Sequence, residues 1–163
     1  MIWMFDLDGT LLSPDVLVTG RTRKALHMAH DAGIRLGIAT GRPVSTVEKM
    51  MKKWGLDDVV ELVVGMNGSH VKDLKTGQFW QNEWIPAAAM QQLYEKFKDS
   101  GAEFIISDEN YVYNNAFTSH AKWIQESDML TYVETDYTEE LKKDWPKLAI
   151  SFMPEELEEM VAI

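Results

Sequence analysis

An α/β architecture, a Rossmann-like parallel sheet with a smaller α+β module, is predicted by three features of this sequence. Apolar runs alternate with helical stretches from Ile2 to Val64. Each run ends in a polar or glycine-bearing turn, and the pattern changes character after Asn82. Strand, helix, strand, helix, strand is the order that parallel sheets with crossover helices require.

Residues 2–7 form an apolar run closed by an acid, as expected of a central parallel strand with chemistry at its tip. Residues 22–32 follow as a helix, with Ala25, Leu26 and Ala29 on one face and Gly33 as its stop. Residues 35–39 give a second strand, which ends at Thr40-Gly41-Arg42-Pro43. The next helix covers 44–54, with Val44, Val47, Met51 and Trp54 at helical spacing. Residues 59–64 are a third strand, ending at Gly65-Met66-Asn67-Gly68. Domain boundaries are therefore expected at 1–82 for the sheet domain and 83–163 for the second module. Within the latter, helices are predicted at 86–100 and 117–127, and strands at 103–107, 111–115 and 147–152. Met90, Leu93, Tyr94 and Phe97 face inward, Trp123 and Ile124 serve as anchors, and Pro154 opens a final acidic helix.

Composition narrows the function classes. With 45% hydrophobic residues and six tryptophans the chain can build a core, and no apolar run is long enough to span a bilayer. Cysteine is absent, which removes disulfides and thiolate metal sites and fits a cytoplasmic protein. The net charge of −10 repels nucleic acid and anionic lipid, so neither is expected as a partner. It repels phosphorylated substrates too, so a phosphate site has to be made locally from backbone N–H groups or a cation.

Asp6-Leu7-Asp8-Gly9-Thr10 is the segment that carries chemistry. Two carboxylates two residues apart at a strand tip share one pocket only if the backbone bends, and Gly9 permits the bend. A carboxylate there can attack phosphorus. A second can protonate the leaving oxygen and then activate water. Their mutual repulsion is relieved by a divalent cation. A turn-capping pair of acids is the competing reading. Thr40 could likewise be a helix cap, and Asn67-Gly68 a plain turn.

DLDGT resembles the first motif of the haloacid dehalogenase superfamily in its phosphatase form, and Thr40-Gly41-Arg42 resembles the second. Asn67-Gly68 is similar to the pair found after the third strand in Cof-like members. The resemblance implies a phosphatase with Asp6 as nucleophile and Asp8 as general acid/base. It implies Mg2+ held by the Asp6 carboxylate and the Asp8 carbonyl. Gly9, Thr10, Thr40, Gly41, Arg42, Asn67 and Gly68 would line the phosphate and substrate site. A small phosphorylated metabolite, such as a sugar phosphate, is the implied substrate.

Asp6 and Thr40 are 34 residues apart, enough for one βαβ unit, so a cap module of type II after the third strand is implied. The superfamily's third-motif lysine and fourth-motif acidic cluster are not found. Acidic pairs such as Asp108-Glu109, Glu139-Glu140 and Glu155-Glu156 lack the glycine and the preceding strand, and read as solvated faces. A shortened member is therefore expected, with weak metal binding and an exposed sheet edge that favours homo-oligomers. A non-catalytic metabolite-binding module is the alternative.

Overall fold

A computed structural model describes residues 1–156 and 158. The chain divides into two compact units, Met1–Asn82 and Glu83–Ile163.

The first unit is a five-stranded sheet in the order β1-β2-β3-β4-β5. β1 (Ile2–Phe5), β2 (Arg35–Ala39) and β3 (Val60–Gly65) run parallel. α1 (Gly20–Asp31) and α2 (Val44–Trp54) make the two crossovers. α1 starts two residues before the predicted helix because the Thr19 side chain accepts a hydrogen bond from the Thr22 amide, an N-cap. α2 buries Val44, Val47, Met50, Met51 and Trp54 on one side and stops at Gly55, which is left-handed at φ 63°. β4 (His70–Asp73) and β5 (Phe79–Gln81) then add antiparallel strands beyond β3, a hairpin the apolar pattern did not announce.

β1 departs from expectation. It lies at the sheet edge, with Ile2, Trp3 and Met4 each 40–44% exposed. Among the described residues no strand pairs with its outer side. Trp3 and Phe5 form, with Leu11, Ala25, Leu26 and Ala29, an apolar cleft of about 320 Å³ between β1 and α1.

At the opposite end of the strands the β2–β3 register slips by one, Leu36 facing Val60 and Gly37 facing Leu62. The extra residue of this bulge is Glu61, buried at 4% exposure. Its carboxylate accepts from Lys75 Nζ and Arg35 Nε, both at 2.6 Å. Those bonds, Lys75 first, hold the Glu61 carboxyl below its usual range. A depressed carboxyl contributes stability above its unfolded pKa and loses it as the pH falls. The melting-temperature gap between wild type and Glu61→Gln is therefore expected to be largest near neutrality and to close below about pH 4. Thermal melts across pH check this, and a gap that widens in acid contradicts it.

The second unit is a four-stranded sheet, β8-β7-β6-β9. β6 (Glu103–Ser107) pairs antiparallel with β7 (Tyr111–Asn114) and β9 (Lys147–Ser151), and β8 (Thr131–Glu134) lies parallel to β7. Period-two alternation along β6 splits the core. Phe104 and Ile106 face Met90 of α3 (Ala87–Phe97) together with Tyr137 and Trp145. Ile105 faces Val112, Leu130 and Ile124 of α4 (Ser119–Ser127). Ile124 is thus an anchor, but Trp123 is 61% exposed and stacks on His120. α4 buries Ala121 and Ile124, three apart on one face, which leaves position 123 outside. Tyr94 packs edge-on against Phe104, as a partly buried core residue. The final helix expected from Pro154 is described only as a 3₁₀ turn, Pro154–Glu156, and its remainder lies outside the described residues.

Candidate active site

Three loops leave the carboxyl ends of adjacent parallel strands, the place where open α/β sheets bind ligands. The first, after β1, carries Asp6 and Asp8. Asp8 (φ −76°, ψ 121°) and Gly9 (φ 77°, ψ 0°) are the central residues of a type II turn. The second of these positions needs φ above zero, which glycine adopts without strain. Two backbone bonds spanning five residues, Leu11 N–H to Asp6 O at 3.3 Å and Leu12 N–H to Leu7 O at 2.9 Å, close the loop. Leu7 and Leu11 are buried beneath it, while Asp6, Asp8, Gly9 and Thr10 remain exposed. Thr10 Oγ1 donates to Asp6 Oδ2 at 3.2 Å.

The second loop follows β2. Thr40 and Arg42 are both 8% exposed. Thr40 N–H donates to Val64 O at 2.9 Å, and its hydroxyl accepts from Arg42 N–H at 3.2 Å. The N-cap position of α2 is Pro43, so Thr40 does not cap that helix. From this loop the Arg42 guanidinium reaches back to the first one. Nε donates to Asp8 Oδ2 at 2.9 Å and Nη2 to Asp8 Oδ1 at 2.8 Å, a two-pronged pair. These bonds hold the Asp8 carboxyl below its usual range, against a smaller opposing effect of burial.

The third loop, residues 66–69, is the turn of the β3–β4 hairpin. Met66 (φ 50°) and Asn67 (φ 56°) are consecutive left-handed residues, a conformation that costs on the order of 1–2 kcal/mol each for non-glycine residues. Interloop bonds maintain it. Met66 N–H donates to Arg42 O at 3.0 Å and Asn67 N–H to Thr40 O at 3.3 Å. The Asn67 side chain lies across Gly41, where an added Cβ would sit 2.7 Å from Asn67 Oδ1. Gly68 O accepts from Asn82 Nδ2 at 2.9 Å. Asn67-Gly68 is thus a turn and at the same time part of the wall of the second loop.

The geometry links Asp6 to Thr10, Asp8 to Arg42, Arg42 to Thr40, and Gly41 to Asn67. Two features escaped sequence reasoning. One is the Asp8–Arg42 pair, whose members lie 34 positions apart. The other is Gly65, where a Cβ would meet Arg42 O at 2.9 Å and Val44 N at 3.1 Å. A glycine directly before Met66-Asn67-Gly68 was its only trace in the sequence.

The exposed Asp6 carboxylate at the strand tip is a hard oxygen donor of the kind Mg2+ takes. Among the described residues no three His, Cys, Asp or Glu side chains are grouped to hold a metal. Nor, among them, is any helix long and apolar enough to cross a membrane.

With this arrangement in place, comparison with known proteins is informative. Residues 3–163 match the family model of haloacid dehalogenase-like hydrolases. The chain belongs to that family. It is 30% identical over 111 residues to the HMP-PP phosphatase of Cronobacter sakazakii, covering 68% of this chain and 40% of the relative. To the 5-amino-6-(5-phospho-D-ribitylamino)uracil phosphatase YcsE of Bacillus subtilis it is 26% identical, over 74% of this chain and 48% of the relative. Among solved structures it resembles the subclass IIB sugar phosphatase BT4131, with TM-score 0.79, 21% identity, and coverage of 99% of this chain and 62% of that one. TM0651 from Thermotoga maritima aligns with TM-score 0.77 and 23% identity over 98% of this chain and 59% of that one. These likenesses establish the α/β fold, Rossmann-like as expected. The chain spans less than two thirds of the length of each of these four proteins.

Proposed function

We propose that the protein is a Mg2+-dependent phosphomonoesterase that hydrolyses a small phosphorylated metabolite, such as a sugar phosphate, through an aspartyl-phosphate on Asp6. The observation that carries this reading is the unequal treatment of two neighbouring carboxylates. Among the described residues the Asp6 carboxylate takes a hydroxyl bond, from Thr10, while Asp8 is held by a guanidinium. Carboxylates placed in different environments can take different roles. The phosphatase names of the relatives point the same way.

In the first step an Asp6 oxygen attacks phosphorus, the ester P–O bond breaks, and Asp8 gives its proton to the departing oxygen. In the second step water attacks the aspartyl-phosphate, its proton passes to the Asp8 carboxylate, and inorganic phosphate leaves with Asp6 regenerated. The Arg42 pair favours the carboxylate form, which serves the second step and opposes the first, where Asp8 has to carry the proton. Thr40, Gly41, Asn67, Gly68, Gly9 and Thr10 are the proposed surroundings of the phosphate and substrate, with Arg42 behind Asp8. Bound at the Asp6 carboxylate and the Asp8 carbonyl, Mg2+ would neutralise phosphate charge. The same reading places the protein in the cytoplasm, free of nucleic acid and membrane, with self-association along the β1 edge.

An aryl phosphate is the apt first substrate, because a phenolate leaves with little help from an acid. Turnover that requires Mg2+ and stops with a chelator is expected, and turnover indifferent to both contradicts the proposal. One observation favours a second reading, a metabolite-binding module without turnover: the described residues supply no third carboxylate for the metal. That reading expects phosphate binding by calorimetry with no hydrolysis under any metal.

A further inference from the structure

We infer that Arg42 is a positioning residue for Asp8 rather than a ligand of the substrate's phosphate. This deepens the phosphatase reading, and in its catalytic consequence rests on it.

Burial separates anchor from passenger. The Arg42 side chain is 10% exposed, that of Asp8 54%. Arg42 is also fixed along its backbone, with its N–H on Thr40 Oγ1 at 3.2 Å and its carbonyl accepting from Met66 N–H at 3.0 Å. Pro43 and α2 follow at once and stiffen the chain behind it. Asp8, by contrast, is a central residue of an exposed turn. The buried partner therefore sets the orientation of the exposed carboxylate.

The pairing is also specific in shape. The edge of the guanidinium formed by Nε and Nη2 takes both oxygens of Asp8, at 2.9 and 2.8 Å. A planar fork of this kind fixes the rotation of the carboxylate as well as its position, which a lysine ammonium cannot do. The Nε and Nη2 donors turned to Asp8 are not the ones an incoming phosphate would find free. Two neighbouring carboxylates with one guanidinium between the loops leave a local charge of −1 instead of −2, so the turn can hold Asp6 and Asp8 close before any cation arrives. An isolated exposed ion pair contributes little. Here the buried anchor and two-pronged geometry set the pair apart, and its effect is on the order of the first loop.

Amide hydrogen exchange across residues 7–12, in the presence and absence of Mg2+, tests the inference without relying on turnover. Arg42→Met is expected to speed exchange of the Leu11 and Leu12 amides, the two whose bonds close the loop, about tenfold or more while leaving β3 unchanged. Arg42→Lys should fall between wild type and Arg42→Met, because it restores charge but not the fork. Asp8→Asn cuts the same tie from the exposed side, so it serves if an Arg42 variant folds poorly. Exchange that is equal in all four proteins overturns the inference. If wild type hydrolyses an aryl phosphate, Arg42→Met should lower kcat at least tenfold with KM changed less than about twofold. A rise in KM at constant kcat would instead mark Arg42 as a phosphate ligand and overturn the assignment. An inactive wild type tells against the phosphatase reading, and the exchange result still decides the role of Arg42.

Discussion

Asp6→Asn is expected to lower Mg2+-dependent hydrolysis of an aryl phosphate by at least about a thousandfold, because the amide cannot attack phosphorus and is a poor metal ligand. The side chains are nearly the same size, and Asp6 is exposed with one side-chain partner among the described residues, the Thr10 hydroxyl. Stability should therefore change by less than about 0.5 kcal/mol. Near-wild-type melting with lost turnover is the signature of a chemical role. Turnover that survives the substitution would move the nucleophile elsewhere.

Gly65→Ala should have the largest structural effect of any single methyl added near the site. The new Cβ would approach Arg42 O to 2.9 Å, Val44 N to 3.1 Å and Val44 Cγ2 to 2.8 Å. Two of those three atoms are backbone, so no rotamer change removes the clash. Overpacking of this kind costs about 1–3 kcal/mol. The strain falls on the bond from Met66 N–H to Arg42 O, which joins the third loop to the second. Because Arg42 in turn holds Asp8, loss of activity should exceed what the drop in melting temperature explains. Calorimetric melts paired with rate measurements at a temperature where the variant remains folded check this. A variant as stable and active as wild type contradicts the packing account.

Much of the fold was legible because its signals are local. The alternation of β1, α1, β2, α2 and β3, and the turns that close them, follow from apolar spacing and from glycine stops at Gly33 and Gly55. β4 and β5 were missed because each is short: β4 is mostly polar and gains its partial burial by pairing to β3, and β5 is exposed throughout and pairs with β4. β8 (Thr131–Glu134) escaped for the same reason. The position of β1 at an edge is a matter of sheet order, which its own apolar residues cannot reveal. Trp123 misled because aromatic character was weighed above helical phase, and the buried face is the one that carries Ala121 and Ile124.

At the site, motif spacing brought the three loops into one account, whereas partner choice lay beyond it. Nothing local to Arg42 distinguishes a guanidinium aimed at substrate from one aimed at a carboxylate 34 positions earlier. The same holds for Asn67, whose side chain finds its place only because Gly41 leaves room for it.

The central claim is that the Asp6 carboxylate is the phosphoryl acceptor. Fluorine NMR of a beryllofluoride titration measures this directly, since the adduct forms on an aspartate poised to be phosphorylated and needs no turnover. With Mg2+ present, a bound fluorine resonance is expected for the wild-type protein and none for Asp6→Asn. A bound signal of equal size in both proteins, or in neither, would contradict the account.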